Sequence, residues 1–238
     1  MTRALKPAKT ISVILAVLLV ALRIPASAAQ FIRSEGEESV YSWHKNSSNK
    51  IALTFDDGPH PRYTEEILGI LDEFDVKATF FVIGKNAEKY PDILQHVIDL
   101  GHEIGNHTFS HANLRALNEK NITEELERTQ EIIYETGEYG TKLIRPPEGK
   151  YSPAMTKLAE KMEYSIVLWT VDTRDWAHTP SDKIYDNVTK SIKSGDIILF
   201  HDGIVGSSPT PEALRRIIPE LKNMGFSLVT VSELLGSS

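Results

Sequence analysis

Ile51-Ala52-Leu53-Thr54-Phe55 is a short apolar run, and Asp56-Asp57-Gly58-Pro59 follows it without a break. The run has strand length, and Gly58-Pro59 is turn chemistry, so the segment reads as a strand that ends in two carboxylates. A helical pattern follows at Thr64–Phe74, and the alternation then repeats. Further strands are expected at Ala78–Ile83, Glu103–Asn106, Leu143–Arg145, Ile166–Val171, Asp196–Phe200 and Ser227–Val231. Helical patterns lie between them at Pro91–Leu100, Thr123–Thr136, Ser152–Met162, Ser181–Ile192 and Pro211–Met224. Leu126, Thr129, Ile133 and Thr136 share one helical face, as do Leu214, Ile217, Ile218 and Leu221. Thr123 and Ser181 read as N-caps, and Gly101, Gly137, Gly195 and Gly225 fall where helices should stop. Strand–helix alternation repeated about seven times predicts an α/β fold with a mostly parallel sheet and helices outside it. Periodicity alone leaves a closed barrel and an open doubly wound sheet equally available.

Outside this core the chain changes character. Arg3, Lys6 and Lys9 precede an apolar run from Ile11 to Leu22, followed by Arg23, Pro25 and Ala26-Ser27-Ala28. A basic start, a short apolar middle and a small-residue end describe a secretory signal over residues 1–28, cleaved after Ala28. An uncleaved membrane anchor is the alternative, although the run is short for a full span. Residues 29–50 are polar and read as a lead-in to a domain at 51–235. Loss of residues 1–28 removes four basic and no acidic residues, moving the formal charge from −7 to −11. Such an acidic chain is a poor partner for nucleic acid, whose phosphates need basic patches. With no cysteine in the sequence, thiolate metal sites and cysteine nucleophiles are excluded, and any metal must be held by His, Asp or Glu. No stable protein partner is implied.

The polar residues with chemical potential all sit at the carboxyl ends of expected strands. Asp56-Asp57 follow the first, His107 and His111 the third, and Arg145 closes the fourth. Asp172 and Asp175-Trp176 follow the fifth, and His201-Asp202 the sixth. Parallel α/β folds gather those ends on one face, where active sites form. Taken singly, each segment has an ordinary reading: a surface turn, two unrelated histidines, a structural ion pair, a core Trp or a satisfied histidine. Their convergence is what separates function from accident. Two carboxylates after a strand suit a division between metal ligand and base. Imidazoles four apart would share a face on a helical turn and suit one ion. Two His and one Asp make a three-ligand set that leaves a position for water.

Together these segments resemble the polysaccharide deacetylase family, the NodB-homology carbohydrate esterases. Five motifs recur in order: Thr54–Pro59, His107–His111, Arg145–Gly149, Asp172–Trp176 and Leu199–Asp202. The resemblance spans about Ile51 to Leu235 and implies a distorted barrel of about seven parallel strands with outer helices. It implies a divalent ion on Asp57, His107 and His111, usually zinc in this family and in some members cobalt. It makes Asp56 the general base with Arg145 as its partner, and His201 the general acid oriented by Asp175. Trp176, Leu199, Pro147 and Glu148 would line the substrate pocket. The family often carries Tyr where this chain has Glu148, which bears on pocket shape. The implied activity is removal of N-acetyl groups from the amino sugars of a wall glycan such as peptidoglycan or chitin, outside the cytoplasm. An O-acetyl esterase and a non-catalytic glycan-binding relative are the alternatives. Retention of both Asp56 and His201 weighs against the second, since binding alone needs neither acid nor base.

Overall fold

The structure, a computed structural model, describes residues 39–45, 47–138 and 140–236. The signal expected at residues 1–28 and the first part of the lead-in lie outside the described residues. Strands β1 (Val40–Tyr41), β2 (Lys50–Asp56), β3 (Thr79–Val82), β4 (Glu103–Asn106) and β5 (Leu143–Ile144) are followed by β6 (Ser165–Val167), β7 (Val171–Asp172), β8 (Ile197–His201) and β9 (Ser227–Val229). The helices are α1 (Tyr63–Glu73), α2 (Gly84–Lys89), α3 (Pro91–Asp99), α4 (Glu119–Gly137), α5 (Pro153–Lys161), α6 (Ser181–Thr189), α7 (Thr210–Asn223) and α8 (Val231–Leu235). Every strand ladder among them is parallel, in the order β1-β6-β5-β4-β3-β2-β8-β7. β9 pairs with Lys50–Ala52 of β2, beside the segment Thr54–Asp56 that pairs with β3.

Connectivity forces this sheet to curl. β6 and β7 stand second and eighth in the order, yet only Leu168–Thr170 joins them. In a flat sheet six strand spacings would separate them by roughly 29 Å. Four Cα steps reach only roughly 15 Å. The sheet therefore wraps into a distorted barrel, and a bridge between Trp43 and Asp196 ties the chain after β1 to the start of β8. The single strand expected at Ile166–Val171 is thus two strands on opposite flanks of the wrapped sheet.

Alternation along the buried strands separates two cores. Ile51, Leu53 and Phe55 of β2 pack outward with Phe80, Ile198, Phe200 and the apolar faces of α1 and α7. Ala52 faces inward with Phe81, Ile144, Ile197, Leu199 and Trp169. Thr54 and Asp56 share the parity of Ala52, so the acidic end of β2 is carried into the barrel interior.

Several boundaries differ from the sequence expectation for local reasons. The lead-in is part of the sheet from Val40 onward, where two residues pair with β6 and no apolar run announces them. Asn118, not Thr123, caps α4, its side chain accepting from the Asn121 N–H at 2.9 Å. Ser181 is the first helical residue of α6 behind Pro180. Gly137 lies inside α4, and Glu138 takes the left-handed turn that ends it. The short helices α2 and α8 offered too few turns to show a period.

Candidate active site

β2 and β8 are neighbours in parallel register, and Asp56 pairs directly with His201. Both side chains sit at the carboxyl end of the barrel interior. Arg145, just past β5, crosses that interior to meet Asp56. Its Nη1 donates to Asp56 Oδ1 at 2.7 Å and to Thr54 Oγ1 at 2.8 Å. Its Nε and Nη2 donate to the carbonyls of Val167 and Leu168 at 3.1 and 3.0 Å. The guanidinium is fully buried and lies 4.1 Å over the Phe81 ring. A charge in that position is tolerable only because its hydrogen bonds are met and a carboxylate faces it. With Oδ1 held, Asp56 is left with Oδ2, which lies 3.7 Å from His107 Nε2.

Asp57, His107 and His111 form a compact donor set. Their ligand atoms lie within 4.8 Å of one another. Asp57 Oδ1 stands 3.5 Å from His107 Nε2 and 3.4 Å from His111 Nε2. Arms of ~2.1 Å in a tetrahedron span edges of roughly 3.4 Å, so the two Asp57 distances match a zinc-sized ion. Asp57 Oδ1 is buried and accepts no hydrogen bond, as expected of an oxygen reserved for a cation. His107 Nδ1 lies 2.7 Å from the Arg145 carbonyl, which fixes the tautomer and leaves Nε2 for a ligand role. The two histidines do not share a helical turn. They lie on a loop in which Thr108 and His111 adopt left-handed backbone, φ 67° and 58°, and this brings the rings to 5.1 Å.

Electrostatics follow from this packing. Burial by itself would raise Asp57, but the facing His107 ring and the fields of His107, His201 and His111 hold it at about 2. Burial disfavours charge on His201 too. Its hydrogen bond to Asp175 and the charges of Asp175, Asp56 and Asp57 outweigh that and push it up to about 9. Asp175 is completely buried and accepts four hydrogen bonds. Oδ1 takes His201 Nδ1 at 2.8 Å and the Trp176 N–H at 2.9 Å. Oδ2 takes the His201 N–H at 2.8 Å and Thr210 Oγ1 at 2.6 Å.

The remaining expected residues differ in placement. Leu199 and Pro147 are buried, Leu199 within the inner core. Trp176 is half-exposed beside Asp175, with the Arg174 guanidinium 5.8 Å from its ring, so it is not a core residue. Glu148 is exposed, left-handed at φ 56°, paired with Lys150 and near enough to His111 to act on its charge. Asp172 is not drawn into the cluster: its Oδ1 accepts from the Arg174 N–H at 2.8 Å and shapes that turn. Asp202, expected beside His201 at the end of its strand, is buried against the Gly58 turn, where a Cβ on residue 58 would collide with its carboxylate. Burial, aided by the charges of Asp57 and Asp56 and opposed by the Thr64 hydrogen bond, pushes Asp202 up to about 7. Asp202 ends the Leu199–Asp202 motif and Thr54 opens the Thr54–Pro59 motif, whereas nothing in the sequence marks Thr64 or Thr210.

The sequence model of the polysaccharide deacetylase family matches residues 44–167. A peptidoglycan-N-acetylglucosamine deacetylase of Bacillus cereus is 40% identical over 208 residues, covering 86% of this chain and 97% of the relative. The peptidoglycan-N-acetylmuramic acid deacetylase PdaC of Bacillus subtilis is 39% identical over 184 residues, 77% of this chain and 38% of that longer protein. Among solved structures, the Bc1960 peptidoglycan N-acetylglucosamine deacetylase superposes with a TM-score of 0.80 at 38% identity, covering 84% of this chain and 94% of that one.

Proposed function

The chain belongs to the polysaccharide deacetylase family, and from that membership we propose that it hydrolyses the N-acetyl groups of amino sugars in peptidoglycan. The observation that carries the reading is the convergence on one barrel end of a three-donor metal set, an arginine-held carboxylate and an aspartate-held imidazole. The family is metal-dependent, and two imidazoles with one carboxylate favour zinc over harder ions. Asp57, His107 and His111 would hold it, and when bound the ion supplies Lewis acidity toward the amide carbonyl and toward water.

The protein's own residues supply the proton transfers. Arg145 holds and orients Asp56 through Oδ1, so that Oδ2 can take the proton of the attacking water. His201 Nδ1 is committed to Asp175, so its Nε2 is the atom that delivers a proton to the departing nitrogen. Because Asp56 and His201 pair across adjacent strands, base and acid flank the same scissile amide. The main-chain N–H at Glu148 is assigned to the developing oxyanion, a role that needs no particular side chain. Leu199, Pro147 and Trp176 are assigned to the walls around the acetyl group and sugar.

The basic-apolar-small pattern of residues 1–28 supports export to the wall. No helix among the described residues is long and apolar enough to cross a membrane. Acetate release from peptidoglycan, chitin oligomers and O-acetylated xylan, with product mass for each, tests the substrate. Release from xylan alone would replace the amidase reading with an esterase.

A further inference from the structure

Asp57, Thr108 and His111 all hold left-handed backbone, φ 77°, 67° and 58°, and none is glycine. Each conformation is disfavoured for a residue with a side chain, so its surroundings must hold it there. The start of α2 reaches both turns. The Ile83 N–H donates to the Gly58 carbonyl at 3.0 Å, while those of Gly84 and Lys85 donate to the carbonyls of Thr108 and Phe109, each at 2.9 Å. Asn86 adds its side chain: Nδ2 donates to the Asp57 carbonyl at 2.7 Å. The approach is close, since a Cβ on residue 84 would lie 2.6 Å from Thr129 Oγ1 and 2.8 Å from the Phe109 ring. One short segment therefore braces the loops that carry all three candidate ligands.

A second brace comes from α4. Glu125 takes the Ser110 N–H on Oε2 at 2.8 Å and Ser110 Oγ on Oε1 at 2.7 Å, gripping the residue just before His111. Asn106 completes the loop, accepting from the Thr108 N–H at 2.9 Å and donating to the Leu126 carbonyl of α4 at 2.9 Å.

We propose that Asn86 and Glu125 are positioning residues that set metal affinity, Asn86 through the backbone of Asp57 and Glu125 through the turn before His111. The proposal rests on the reading of Asp57, His107 and His111 as ligands of a divalent ion. Neither residue belongs to that donor set; each would act by keeping a ligand turn in a conformation it would otherwise leave. Outer groups of this kind typically change metal affinity by ~10–100-fold.

The test is direct zinc titration of the metal-stripped chain by calorimetry, with cobalt absorption as a second readout of ligand geometry. The variants are Asn86→Asp, which keeps size and loses the donor, Asn86→Ala, Glu125→Ala, and Glu125→Gln, which retains one acceptor oxygen. Glu131→Ala, exposed on the same helix, serves as control. Zinc dissociation constants should rise ~10–100-fold for Asn86→Asp, Asn86→Ala and Glu125→Ala, less for Glu125→Gln and not for Glu131→Ala. Circular dichroism and the melting temperature in chelator should stay near wild type. Wild-type affinity in Asn86→Asp and Glu125→Ala overturns the proposal. Loss of fold in chelator also overturns it, because the side chains would then serve the fold rather than the ion. If the wild-type chain itself binds no zinc or cobalt, the metal reading fails first, and that failure is distinguishable.

Discussion

Replacing Asp175 by Asn isolates the group that charges His201. The carboxylate accepts two donors on each oxygen, whereas an amide can accept on only one. If the amide oxygen stays on His201 Nδ1, its NH2 meets the His201 N–H, leaving a buried donor unmet at a cost of ~1–3 kcal/mol. The electrostatic effect is larger. Without Asp175 the burial that disfavours imidazolium is poorly opposed, and the His201 pKa falls from about 9 toward or below its ordinary 6.5. At about pH 7.5 a group with a pKa of about 9 is ~97% protonated, and one of about 6.5 only ~9%. Turnover at that pH should thus drop ~10-fold, with the alkaline limb of the rate profile moving down by roughly 2.5 pH units. A divalent ion nearby lowers both curves together, so their difference reports Asp175. Stability follows the same shift. A folded pKa of about 9 lies above the unfolded 6.5, so His201 stabilises the fold by about 3 kcal/mol below pH 6.5, and this is lost as pH rises toward 9. The assay is acetate release from N-acetylglucosamine oligomers between about pH 5 and 10, with zinc content measured on each preparation. A variant whose alkaline limb coincides with wild type at equal metal content would refute the reasoning.

Asp56→Asn removes the base without removing a proposed ligand, so turnover should fall by ~10²–10⁴ while bound zinc stays near wild type. His107→Ala should lose zinc and activity together; equal metal loss in both variants would break the division of roles. Arg145→Ala leaves Asp56 buried without its partner and should cost ~3–5 kcal/mol, read as a lower midpoint in denaturant melts. Chelation should abolish acetate release and added zinc or cobalt should restore it, whereas full activity in stripped protein would contradict the metal set. N-terminal sequencing of native protein should find a start near Ala29, and a start at Met1 would favour an anchored form.

The apolar run Ile51–Phe55, the helical faces of α4 and α7, and the punctuation at Gly101 and Gly225 are local patterns. Strand and helix identity respond to such patterns, so the α/β alternation was legible in the chain. The same locality put Asp56, Asp57, His107, His111, Arg145, Asp175 and His201 at strand ends, from which a common face followed by topology. Locality also explains what stayed hidden. Val40–Tyr41 has no pattern of its own and becomes a strand only because β6 is there to pair with it. The helical turn expected for His107 and His111 is a loop whose left-handed residues are held by α2 and α4, elements with no local claim on it. The ion pair of Arg145 with Asp56 spans 89 positions, and Thr210 reaches Asp175 across 35. Such contacts exist because strand order and the three-residue link between β6 and β7 make the sheet curl. Curvature is a property of the assembled sheet, and it alone decides which strand-end side chains meet across the barrel.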